Sequence, residues 1–136
     1  MATVLLATDG SGEAAHAAHR AVQSAWDLDA TLHVLCVVDR WEQSEAALSS
    51  AALATIAAED AAFAAVEEAA AQAERLGIDV VSKVVHGSPV ETILEYAAEI
   101  DADLIVLGRH GDHSHHLGGV GRRIVSEASR ETVVVD

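Results

Sequence analysis

Five short stretches of the chain are apolar or β-branched with little polar alternation: Thr3 to Ala7, Leu32 to Val38, Val80 to Val85, Leu104 to Leu107 and Thr132 to Val135. Runs of this kind suit strands buried on both faces of a parallel sheet. Between them the apolar positions recur at helical spacing. In Gly12 to Leu28, the residues Ala14, Ala17, Ala18, Ala21, Val22, Ala25 and Trp26 share one face. The long alanine-rich segment Trp41 to Leu76 reads as a loop or partial turn followed by one helix that Gly77 stops, with Leu48, Ile56, Phe63, Val66, Ala70 and Ala73 near heptad spacing. Pro89 to Ile100 and Arg122 to Ser129 complete the set. Five strands alternating with four helices predict an open, doubly wound α/β sheet with helices on both faces, in one domain spanning residues 1–136.

Local signals agree with this period. Ser88-Pro89-Val90-Glu91 has the form of a capping box with proline at the first helical position, and Val90, Ile93, Leu94, Ala97 and Ile100 follow along one face. Thr8-Asp9-Gly10-Ser11 is turn chemistry leading into the first helix. The fourth strand ends in Gly108-Arg109-His110-Gly111, where two glycines let the backbone turn sharply and approach a ligand. In open α/β sheets the ligand crevice lies outside the carboxyl ends of the strands, and a glycine turn there suits a phosphate.

Composition narrows the function classes. Twenty-two acidic residues face eight basic ones, of which only Lys83 is a lysine, for a formal net charge of −14. Such a chain has no generic basic surface for nucleic acid. Its acidity, scarce lysine and abundant alanine resemble cytoplasmic proteins of salt-accumulating halophiles, in which concentrated cations screen self-repulsion, the alternative being an ordinary acidic bacterial protein. The single cysteine, Cys36, lies in an apolar run and reads as a core residue, so a reducing cytoplasm is expected. No basic leader precedes the first strand, and no apolar stretch approaches the ~20 residues that span a bilayer.

Three segments together resemble the universal stress protein A family over nearly the whole length. Leu5-Leu6-Ala7-Thr8-Asp9-Gly10-Ser11 is similar to its first strand and Asp-Gly-Ser turn. His86-Gly87-Ser88-Pro89, with Ala102-Asp103-Leu104-Ile105-Val106-Leu107-Gly108, is similar to its Gly-x-Pro helix and fourth strand. Gly108 and Gly111 open its nucleotide motif, Gly-x(2)-Gly-x(9)-Gly-Ser/Thr. The resemblance implies strand order 3-2-1-4-5, a homodimer through Thr132–Val135, and ATP, with Mg2+, bound at the carboxyl ends of strands 1 and 4. It places Asp9 near adenine and ribose and the backbone of Ala7 and Val38 beside the base. Thr8, Leu107, Gly108, His110, Gly111, Gly118, Gly119, Val120 and Gly121 complete the implied site.

The motif departs from the family pattern. Gly121 matches the glycine spacing, but Arg122 then stands at the hydroxyl position. In the preferred register Gly118-Gly119-Val120 aligns with Gly-Ser-Val, the loop is three residues short, and Gly119 replaces the hydroxyl. One lost hydroxyl weakens a phosphate cradle built mainly of backbone N–H groups by ~1 kcal/mol. Arg122 or Arg123 would compensate by pairing with phosphate.

Other chemistries compete less well. Gly10-Ser11-Gly12-Glu13-Ala14-Ala15 fits the short dinucleotide fingerprint, with Asp39 after strand two, but Asp9 and Glu13 would crowd a pyrophosphate with negative charge. His110, His113, His115 and His116 crowd one loop, which reads as a solvated polar segment or, alternatively, as a zinc, copper or nickel site. No catalytic residue set, Walker lysine or metal centre is recognisable, so at most slow ATP hydrolysis is expected. The reading is a small cytoplasmic ATP-binding stress-response module. The alternatives are a dimeric interaction protein that has lost its nucleotide and a metal-binding variant.

Overall fold

A computed structural model describes residues 2–8, 14–39, 63–64, 66–108 and 123–135. Its strands are β1 (Thr3–Thr8), β2 (Thr31–Asp39), β3 (Val80–Gly87), β4 (Leu104–Gly108) and β5 (Glu131–Val135). The helices are α1 (Ala14–Leu28), α2 (helical at 66–75), α3 (Pro89–Glu99) and α4 (helical at 123–127). Among the described residues the sheet has five parallel strands in the order β3-β2-β1-β4-β5, as expected.

Alternation along the strands divides the core into two layers. Val4, Leu6, Leu32, Val34, Cys36 and Val106 pack with α1 and α2 on one face. Leu5, Ala7, Leu35, Ile105 and Leu107 pack with α3 and with Ile124 of α4 on the other. Burial on both faces is why these strands read as unbroken apolar runs. Small side chains dominate the contact face of α1, where Ala17, Ala21 and Ala25 are fully buried and let the helix lie close to the sheet.

Two expected core residues are outside it. Trp26 on α1 is 59% exposed and Phe63 is 52% exposed. Each stands at the margin of a helical stripe that is narrower than the apolar periodicity suggested. Gly77 does end α2, with a left-handed φ of 77°, and Ile78 N–H reaches Ala73 O at 3.0 Å. The last helix is shorter than expected: Ala128 and Ser129 are not helical, and Arg122 lies outside the described residues.

At the amino ends of the strands, polar groups tie elements together. Asp103 Oδ2 accepts a hydrogen bond from Thr3 N–H at 2.8 Å, and Thr3 O accepts one from Asp103 N–H at 2.8 Å. Arg130 donates to Asp101 Oδ1 at 3.0 Å and to Ala102 O at 2.9 Å. The start of β5 is thereby held to the end of α3.

Candidate functional site

The order of the strands makes one place in the sheet distinctive. The chain runs outward from β1 through β2 to β3, then returns to the other side of β1 as β4. The helices that follow β1 and β4 therefore pack on opposite faces, and in open α/β sheets ligands bind in the crevice between two such strand ends. Ala7 pairs with Leu107 there, with Thr8 and Gly108 one residue further on. Thr8 also pairs with Cys36, Gly108 with Val135, and Val38 with His86.

The structure thus gathers Ala7, Thr8, Val38, Leu107 and Gly108 at one end of the sheet. Ala7 and Leu107 belong to the α3 layer of the core, whereas Thr8 and Gly108 have the opposite parity. Thr8 is a buried polar residue, 9% exposed, at the carboxyl end of β1. Asp9, His110, Gly111, Gly118, Gly119, Val120 and Gly121 lie outside the described residues, as do both registers of the glycine loop and the histidine cluster around it.

The helix α3 begins directly after β3. Ser88 is its N-cap, with φ −80° and ψ 121°, and Pro89 occupies the first turn. The capping box is formed differently from expectation, because the Ser88 side chain makes no cap hydrogen bond to the helix backbone. The Glu91 carboxylate instead accepts from the Ser88 hydroxyl and from its own backbone N–H, which holds it below the usual carboxylate range. Arg123, one of the two arginines expected to aid a phosphate, is held by Glu127 at 3.0 Å and lies 3.9 Å from Glu91.

A second polar cluster, not anticipated from the sequence, lies towards the other end of β2. His33 Nδ1 is 2.9 Å from the Tyr96 hydroxyl, and the rings meet edge-on with centroids 5.7 Å apart. Lys83 Nζ sits 5.6 Å from the centre of the Tyr96 ring. Burial, with Lys83 nearby, lowers the His33 pKa, and burial together with Glu99 raises that of Tyr96. The sequence signal was a lone histidine in an apolar strand; its partner is 63 residues away. A small cavity of about 140 Å³ beneath α3 and α4 is lined by Leu94, Ala97, Ile105, Ala128 and Arg130, away from the carboxyl ends of the strands. Among the described residues no group of three or more side chains is placed to hold a metal ion, and no helix is long and apolar enough to cross a membrane.

The fold recurs in known proteins. A model of the universal stress protein family matches residues 1–136. A universal stress protein of Methanocaldococcus jannaschii is 29% identical, over 97% of this chain and 80% of its own. Among solved structures, a universal stress protein in complex with cAMP is 27% identical with a TM-score of 0.75, covering 99% of this chain and 97% of its own. The UspA protein of Lactobacillus plantarum is 29% identical with a TM-score of 0.73, at the same coverage of both chains.

Proposed function

The chain belongs to the universal stress protein family, and we propose that it binds an adenine nucleotide in the crevice between the carboxyl ends of β1 and β4. The observation that carries this reading is the juxtaposition of Ala7, Thr8, Leu107 and Gly108 at the topological switch point. The cAMP carried by the 27% identical relative supports the same ligand class. In this reading Gly108, Gly111 and the Gly118-Gly119-Val120 turn hold phosphate through backbone N–H groups. Asp9 and the backbone of Ala7 and Val38 take the ribose and base. ATP, with Mg2+ on its phosphates, is the fullest ligand.

The protein then acts as a cytoplasmic stress-response module that reports nucleotide occupancy to a partner. Its homodimer forms through Thr132–Val135. Among the described residues β5 pairs with β4 alone, and Val134 is 38% exposed, which supports an edge available to a two-fold mate. The formal charge of −14 supports a salt-rich interior, and the unfolding temperature then rises as KCl increases to molar concentration.

Mass spectrometry of ligand released from gently purified protein, followed by calorimetry with AMP, cAMP, ADP and ATP, tests the reading. Gly111→Val weakens binding by about 1–3 kcal/mol through strain and lost approach. Gly119→Ser tightens it by about 1 kcal/mol if the shorter loop register holds, whereas Arg122→Ser does so in the other. No heat from wild type at millimolar ligand overturns the reading and leaves a dimeric interaction protein without nucleotide.

A further inference from the structure

The last helix stops short, and the turn that follows leaves space beneath it. Helical structure in α4 ends at residue 127, and Ala128 and Ser129 lead through Arg130 to the start of β5. Ala97 and Ala98 of α3 line the same space, so short side chains meet short side chains. What remains is the cavity of about 140 Å³, partly open to solvent, with Leu94 and Ile105 in its apolar wall. We infer that this cavity binds a small neutral amide with an apolar body, at a site separate from the strand-end crevice. A cavity of roughly 150 Å³ lined by leucine, isoleucine and phenylalanine takes up benzene, so a ring of that size fits this one.

The polar wall sets the rest of the ligand. Arg130 lines the cavity with its side chain 23% exposed. Its Nη1 donates to Asp101 Oδ1 at 3.0 Å and to Ala102 O at 2.9 Å. Among the described residues Nε and Nη2, the side-on edge of the guanidinium, have no partner, and they offer donors to a carbonyl oxygen. Glu127 lines the same cavity; Arg123 Nε donates to it at 3.0 Å, and a carboxylate has acceptor capacity left for an N–H. One acceptor for Arg130 and one donor for Glu127 are what a carboxamide carries. Charge favours the amide over a carboxylate of the same shape. Asp101 already matches the Arg130 charge, Glu127 is negative, and the last turn of α3, which includes Ala97 and Ala98, holds no basic residue to offset its dipole.

The experiment is a heteronuclear NMR titration of the full chain with benzamide and with benzoate, read at the backbone amides of Ala128, Ser129 and Arg130. In wild type, millimolar benzamide is expected to shift these signals, and benzoate to bind about fivefold more weakly or worse. Arg130→Lys keeps a charge for Asp101 but loses the planar edge, and weakens benzamide by about five- to tenfold, the scale of one hydrogen bond. Glu127→Gln narrows the preference for benzamide over benzoate. Ala128→Leu fills the space and removes binding without altering either polar group. Each variant is first checked by thermal melting, and the wild-type comparison needs no variant to fold. Benzamide leaving the three signals unmoved in wild type overturns the site. Benzoate binding as tightly as benzamide overturns the neutral-amide class, and unchanged benzamide affinity in folded Arg130→Lys or Ala128→Leu overturns the assignment to this cavity.

Discussion

Asp29 and Asp101 adopt the same left-handed backbone conformation, each with φ 53°, one at the end of α1 and the other at the end of α3. In both places the next residue is an alanine whose N–H reaches back five residues at 2.9 Å, Ala30 to Ala25 O and Ala102 to Ala97 O. Gly77 and Ile78 repeat the arrangement after α2, so helices on both faces of the sheet end in one motif. Ala30, Ile78 and Ala102 are each buried and anchor the turn into the next strand.

Glycine fills this position without steric cost and aspartate does not. Asp29→Gly is therefore expected to stabilise the fold by about 0.5–1 kcal/mol, aided by removal of a negative charge from a helix C-terminus. Gly77→Ala is expected to destabilise it by about 1–2 kcal/mol through backbone strain alone, since a Cβ there meets nothing within 4 Å. Paired denaturant titrations check both, and a neutral Gly77→Ala would argue against a strained position.

Gly87 ends β3 under a different constraint. A Cβ there would lie 2.8 Å from Thr92 Oγ1, on the first turns of α3. Threonine is confined to two χ1 rotamers in a helix, so Gly87→Ala forces the hydroxyl or the backbone to shift and costs about 1–3 kcal/mol. Thr92→Ala in the same chain removes the obstructing atom and recovers most of that loss. A double mutant as unstable as Gly87→Ala would locate the cost in the backbone instead.

The His33 pair makes a stability term that depends on pH. The charged and titratable groups around it are Tyr96 and Glu99 on α3 and Lys83 on β3. With its folded pKa below 6.5, His33 binds protons more readily in the unfolded chain. Its contribution is complete above that value and is lost as pH falls through the lowered folded pKa. His33→Gln, which still offers the Tyr96 hydroxyl a partner, is expected to lose less stability than wild type between pH 8 and pH 5. Equal losses in parallel urea titrations would assign the acid sensitivity to other groups.

At the other edge of the sheet, Val134→Pro removes a backbone donor from β5 and is expected to yield monomer or aggregate instead of dimer. Light scattering reads the outcome, and a persisting dimer would move the interface elsewhere.

The sheet was legible in the sequence because strands buried on both faces show as unbroken apolar runs. Only their ends shifted: Thr8, Asp39, Gly87 and Gly108 are polar or glycine, yet belong to the ladders. Gly77 announced the end of α2, whereas Asp29 and Asp101 gave no comparable signal, since aspartate seldom adopts a positive φ. Trp26 and Phe63 were misread because helical period marks a stripe without its width, and alanine contacts made that width small. Of the expected site, the topology brings Ala7, Thr8, Val38, Leu107 and Gly108 to one end of the sheet, while Asp9 and the glycine loop lie outside the described residues. The Glu91 bond to Ser88 and the pairing of His33 with Tyr96 were not legible, because side-chain geometry and long-range contact leave no local pattern.

The shared helix endings have an electrical consequence. The C-termini of α1, α2 and α3 point to the amino end of the sheet, and α1 and α3 carry no basic residue in their last turns. Asp29, Asp79, Asp101 and Asp103 gather at that same end. Among the described residues, backbone dipoles and carboxylates there add with one sign, offset at Asp101 by Arg130. The described elements thus carry one strongly negative pole, on a chain of formal charge −14. An approaching anion is repelled most strongly at that pole, so added salt should speed its arrival far more than it alters its departure.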